Sequence, residues 1–231
     1  MSDDFARRVT GVAALAEEVR RDLYLYVVAE PEPVSRDQAA AGVGVPRHTA
    51  KFHLDRLVEE GLLETEFRRL SGRQGPGAGR PAKLYRRSPG EVAVSLPERH
   101  YDLAGRLLAG AIEASSRDGT PVAAALQSGA QSFGSGLAAE ARERAGEPVK
   151  AAAARSAACD VLAEHGYEPR VVDGSITLQN CPFHRLAQEH TDLVCGMNLD
   201  LVGALAAGLD DHLVARLDPA DGRCCVVLDT A

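Results

Sequence analysis

The sequence lacks an uninterrupted apolar run of the length needed to cross a bilayer. Its opening residues, MSDDFARRVTGV, lack the apolar stretch of a secretory signal. Together these point to a cytoplasmic protein with no membrane partner. Cysteine is sparse and odd in number, five in all, at 159, 181, 195, 224 and 225. That is not the even framework of a disulfide-stapled secreted domain. No two of these cysteines form the C-x-x-C pair usual in zinc sites. There is no internal repeat, and no oxyanion-hole or substrate motif accompanies the one close Cys–His pair, in CPFH. A nucleophile at Cys181 or Cys195 with His184 or His190 as base is therefore set aside, and an enzyme is not expected.

What is present is ordinary in bulk. A chain of 231 residues, 45% hydrophobic, has room for two small domains. The charge is uneven. Residues 47–88 hold ten Lys and Arg against five Asp and Glu, a local charge of +5. That leaves −12 for the remainder of a chain of net charge −7. One basic segment on an acidic protein marks a local polyanion site.

Residues 8–29 read as one helix, with Val9, Val12, Leu15, Val19, Leu23 and Val27 near helical spacing. Pro31 and Pro33 end it, and Ser35 is placed to cap a short helix over 36–41. Gly42 and Gly44 make a tight turn into a third helix over 46–60. Strands at 62–69 and 83–87 bracket a long Gly- and Pro-rich tip, SGRQGPGAGRP, and 88–96 is a linker. Helices are expected over 97–116, 121–145 and 149–165, then a hairpin turning at Asp173-Gly174. A helical region over 182–209 and short strands at 212–217 and 223–229 complete the chain. The expected fold class is α+β, with an N-terminal winged helix-turn-helix over 1–90 and a C-terminal α+β domain over 97–231.

The phase of the third helix separates two faces. Ala50, Leu54, Leu57 and Val58 face the first two helices. Arg47, His48 and Lys51, with Phe52 beside them, face out near the helix N-terminus, the end that enters the major groove in helix-turn-helix docking. Arg47 can fork onto guanine, and Thr49 can meet a thymine methyl or a phosphate. The hairpin adds Arg73, Arg80 and Lys83 to follow the backbone or enter the minor groove. The partner implied is a double-stranded DNA operator.

The cysteines make a second constellation in NCPFHRLAQEHTDLVCGMNL and DGRCCVVL. On one continuous helix Cys181 and Cys195 would lie about 21 Å apart, so shared ligation needs a break. The sequence offers one at His190-Thr191-Asp192, where Thr191 or Asp192 could cap a new helix. Cys181 would then sit at one helix N-terminus and Cys195 in the first turn of the next, where the dipole favours thiolate. Cys224 follows an Asp-Gly turn that could return it to the same place, and His184 and His190 are candidates for a fourth ligand. Thiolates suit zinc and iron–sulfur alike, and wide, irregular spacing is more typical of a cluster. The alternative is that these are buried small hydrophobes. Cys159 is assigned to the core, and strand alternation assigns Cys225 to packing on the opposite face from Cys224.

The segment VSRDQAAAGVGVPRHTAKFHLDRLVEEGLLE, followed by GRPAKLYRR, resembles the bacterial ArsR/DeoR-like winged-helix regulators. That resemblance implies a homodimer on a two-fold operator, pairing through the helices that flank the winged core. Over the whole chain, the GRPAKLYR wing, the helical middle and then NCP…C…DGxC resemble the SufR-like iron–sulfur-sensing repressors. This implies that Cys181, Cys195 and Cys224 hold a cluster, 4Fe–4S in preference to 2Fe–2S, whose status sets operator binding. The 97–231 region would then be a sensor and dimerisation domain. The alternative is a winged-helix regulator that senses zinc, haem or a small apolar ligand.

Overall fold

The computed structural model describes residues 3–69, 81–146 and 150–230. The chain divides into two compact units, Met1–Val94 and Ser95–Ala231.

The first unit runs α1 (Asp3–Ala14), α2 (Glu18–Ala29), β1 (Val34–Ser35), α3 (Arg36–Val43), α4 (Arg47–Glu59), β2 (Leu63–Arg68) and β3 (Ala82–Arg87). The single helix expected over 8–29 is two helices. The Glu17 carboxylate accepts from the amides of Val19 and Arg20, at 3.2 and 2.7 Å, and so caps α2. Arg20 in turn donates to the Ala14 carbonyl at the end of α1, at 3.2 Å. These bonds satisfy backbone groups that a break leaves open, so the break is stable. Ser35 caps α3 as expected, in a capping box with Gln38. The expected turn is narrower than its two glycines suggested. Gly42 lies inside α3, where a Cβ would fall 2.0 Å from the Tyr26 ring, and Gly44 alone turns the chain, with φ 76°.

Ala50, Leu54 and Leu57 of α4 are fully buried against Leu23 and Val27 of α2 and Ala39 of α3, with Val58 packed beside them. Burial of one Leu or Val side chain contributes about 1.5–3 kcal/mol, so this stripe fixes the rotation of α4. Its other face is thereby turned outward. The sheet order is β1-β3-β2, antiparallel throughout. β1 is a two-residue strand outside the sequence reading, paired Val34 to Tyr85 and Ser35 to Leu84.

The second unit contains α5 (Tyr101–Asp118), α6 (Val122–Ala145), α7 (Ala151–Glu164), β4 (Pro169–Val172), β5 (Ser175–Leu178), α8 (His184–Glu189), α9 (Thr191–Leu209), β6 (Leu213–Leu217) and β7 (Val226–Thr230). Its antiparallel sheet has the order β4-β5-β7-β6. The hairpin turns at Asp173 and Gly174, both at positive φ (50° and 87°), as a type I′ turn requires. One core joins Leu103, Leu126, Leu162, Ile176, Leu201 and Leu228 from helices and sheet. The mixed helix and sheet content is α+β.

Two expectations bear on α9, and one of them needs correcting. This helix is long and apolar enough to cross a membrane by length and composition, yet half of its apolar window is buried inside the fold, as in a core helix. The break before it falls at His190, but neither Thr191 nor Asp192 caps it. His190 holds the N-cap position without a side-chain bond, and the Thr191 hydroxyl donates back to the Ala187 carbonyl at 2.7 Å.

Candidate functional site

The outward face of α4 carries Arg47, His48, Lys51 and Phe52, all exposed, while Thr49 is half-buried. Phe52 is 65% exposed, unusual for an aromatic side chain with no apolar cover. The cations are not idle. The Arg47 guanidinium reaches Asp37 of α3 at 3.3 Å. Lys51 lies 4.0 Å from Asp55, and Lys83 of β3 bonds the same carboxylate at 2.6 Å. The Tyr85 hydroxyl donates to it at 3.0 Å, and the Lys83 ammonium stands 5.0 Å from the Tyr85 ring centroid. Partial burial pushes the Asp55 carboxyl up, but the bonds from Lys83 and Tyr85 and the charges of Lys83 and Lys51 outweigh it. The carboxyl sits below its ordinary value and stays ionised.

Asp55 therefore ties wing to helix. Sequence reading missed it, although its spacing of four from Lys51 is the ordinary signal of a helical ion pair. An open groove of 620 Å³ runs along this face past His48, Lys51, Phe52 and Asp55. Arg73 and Arg80 lie outside the described residues. On the strands, Arg86 pairs with Glu64 directly opposite at 2.6 Å, and Arg68 with Glu32 at 3.3 Å.

The second unit brings four of the five thiols together. Thiol–thiol interactions link Cys181 to Cys224, Cys224 to Cys225, and Cys225 to Cys195. Cys181, Cys195 and Cys224 are buried, Cys225 is half-buried, and all are free. They arrive from three segments: the loop between β5 and α8, the body of α9, and the bend before β7. Among the described residues, no three His, Cys, Asp or Glu side chains are gathered as a cage for one metal ion.

The expectation that Cys225 points away from Cys224 is wrong. Both residues precede β7, in a bend at 223–225, so the two-residue alternation of a strand does not govern them. Cys195 is the fifth residue of α9, past the four amides a helix leaves unbonded, so the expected first-turn stabilisation does not reach it. Burial, with Cys225 and Cys181 nearby, instead raises its thiol to about 12. The Cys225 thiol is lowered to about 6, first by its contact with Cys224, then by Cys195 and the charge of Arg223. Cys181 is lowered, chiefly by Cys224, while Cys224 is raised and holds its proton. His184 and His190 are exposed, and no described contact joins either to a thiol. Cys159 packs half-buried on the core from α7, apart from the four.

The unit has two buried polar side chains among the described residues, Asn180 and Asn198, and each serves a cysteine. The Asn198 amide donates to Cys224 Sγ at 3.2 Å, and its oxygen accepts from the buried Tyr167 hydroxyl at 2.6 Å. Asn180 holds the backbone next to Cys181, with its amide donating to Gly166 and Glu98 carbonyls at 2.5 and 2.9 Å. Asn180 stands beside the cysteine in the NCP motif and could have been noticed there. Asn198 carries no signal in the sequence.

Residues 15–66 match a family described as a helix-turn-helix domain. The span runs from the end of α1 through α2, α3 and α4 into β2, so it includes the outward face of α4. The chain carries an N-terminal helix-turn-helix domain, and the match supports a DNA-binding transcriptional regulator. No curated protein and no solved structure matches the chain.

Proposed function

We propose that this regulator carries an iron–sulfur cluster in its C-terminal unit, held by Cys181, Cys195 and Cys224, and that cluster status sets operator affinity. The observation that supports this most is that four free thiols from three separated segments interact with one another in a mostly buried setting. A single tetrahedral zinc, 2.3 Å from each sulfur, draws its thiolates within about 3.8 Å of one another. No such cage exists among the described residues, whereas a cluster with sulfides between its irons accepts thiolates spread more widely. The donor set is all sulfur, which favours a cluster, 4Fe–4S first. Cys225 takes the fourth place that His184 or His190 was expected to fill. When bound, the cluster supplies a link between the three segments that iron supply and oxidants can break.

The chain's own residues define the rest. Asn198, aligned by Tyr167, donates to the Cys224 sulfur. Arg47, His48, Thr49 and Lys51 read the major groove, with Lys83 of the wing on the backbone. Arg73 and Arg80 extend that contact. A homodimer on a two-fold operator, in the reducing cytoplasm where free thiols persist, completes a SufR-like reading.

Anaerobic purification followed by absorption spectroscopy and iron and sulfide analysis tests it. A brown protein with a broad visible band and bound iron and sulfide is expected. A sharp Soret band, or a colourless chain containing zinc, overturns the cluster.

A further inference from the structure

The stretch that enters the C-terminal unit is strapped to the first cysteine. Residues 98–100 lie immediately before α5 and follow the linker from the first unit. Four hydrogen bonds join them to residues 180–182. The Asn180 amide donates to the Glu98 carbonyl at 2.9 Å. The Arg99 guanidinium donates to Asn180 Oδ1 and, at 3.1 Å, to the Cys181 carbonyl. The His100 amide donates to the Pro182 carbonyl at 3.1 Å. One guanidinium nitrogen of Arg99 also meets the Glu98 carbonyl at 3.1 Å, and the Arg99 amide bonds the Ser95 hydroxyl at 2.8 Å. Asn180 is only 6% exposed, so losing a partner there would leave a buried polar group unsatisfied.

We infer that Arg99 is a positioning residue that couples the state of Cys181 to the chain entering from the winged helix, with Asn180 as its counterpart. The inference rests on reading Cys181 as a cluster ligand. A sulfur held by iron fixes the side chain and, through it, the backbone of residues 180–182. Arg99 takes hold of that backbone at the Cys181 carbonyl rather than at the sulfur, so it follows where the residue sits without ligating anything. Any displacement carried along the polypeptide between the units passes through Glu98–His100. The device rests on one guanidinium nitrogen whose two hydrogens are shared among three oxygens, on a planar group that stays charged. It also needs the strap to differ in free energy between loaded and unloaded forms, as every coupling between sites does.

The test uses the full chain, cluster-loaded and after chelator treatment, titrated with a DNA fragment selected by the wild-type protein from a random pool. The wild-type ratio of loaded to unloaded affinity is expected within the roughly 5–150-fold span of allosteric couplings. Arg99→Gln is expected to keep its iron and sulfide while the ratio falls to within about twofold of unity, and Arg99→Lys to recover part of it. A purely structural role would lower iron content or melting temperature and leave the ratio of the loaded fraction intact. A loaded Arg99→Gln chain with the wild-type ratio therefore overturns the inference alone, while a wild type without iron overturns the cluster reading beneath it. Amide exchange on the wild type needs no variant to fold. The His100 amide is expected to exchange about tenfold faster or more once the cluster is removed, and equal exchange in the two forms overturns the strap.

Discussion

The two units expose opposite solutions to holding chemistry in place. In the first, the side chains proposed to read DNA from α4 stand outside on one regular helix, at spacings of one to four residues, and their carboxylate partners are also near the surface. In the second, the proposed ligands are mostly buried, Cys195 on α9 and the other three on irregular backbone, and two interior asparagines brace Cys181 and Cys224. Exposed charges on a helix can swing to meet a flexible polyanion, and each contributes little to folding. Buried thiols must already be assembled by the fold, because a core rearranges only at a large energetic cost. The difference teaches that damage to one unit should have a different signature from damage to the other.

The largest effect expected is Cys224→Ser. It should lose iron and sulfide while the helix-turn-helix unit melts as in the wild type, and Cys159→Ser should keep both. Elemental analysis beside a thermal melt checks this, and full iron content in Cys224→Ser would break the contrast. Next is Leu54→Ala, which removes a fully buried side chain from the first core. A loss of about 2–5 kcal/mol is expected in denaturant unfolding of that unit, with iron content unchanged. Arg47→Ala should leave both cores alone and weaken specific operator binding by roughly 1–3 kcal/mol if the side chain pairs with a base. An unchanged footprint and affinity at matched salt would remove Arg47 from the reading face.

The smallest effect sharpens the contrast through pH. Asp55 has its carboxyl lowered from 3.8 in the folded chain. Its contribution to stability is therefore complete above the unfolded value and is lost as pH falls through the folded one. Asp55→Asn should melt lower than the wild type near neutrality, and the gap should close as the pH drops below 3.8. A gap that is constant with pH would mean that Asp55 acts through packing rather than charge.

This contrast also explains what the sequence disclosed. The α4 phase, the Ser35 cap and the Asp173-Gly174 turn were legible because each follows from a local rule acting over a few residues. The split at Glu17 was not, since a glutamate is an uncommon N-cap and the apolar spacing continues across it. β1 is too short to show a period, and its pairing to Tyr85 is set by contacts fifty residues away. In the second unit, spacing brought Cys181, Cys195 and Cys224 forward as a set, but strand alternation misplaced Cys225 because the strand begins at Val226, three residues later than expected. The tertiary partners Arg99, Asn180 and Asn198 reveal themselves only once distant segments meet.

The central claim is that the thiol centre governs the DNA face, and one titration addresses it. Operator affinity of the wild-type chain is measured at matched salt in the cluster-loaded form and again after anaerobic removal of iron. The account predicts two separated binding curves, displaced by roughly 5–150-fold. Superimposable curves from a protein shown to contain its cluster would contradict it.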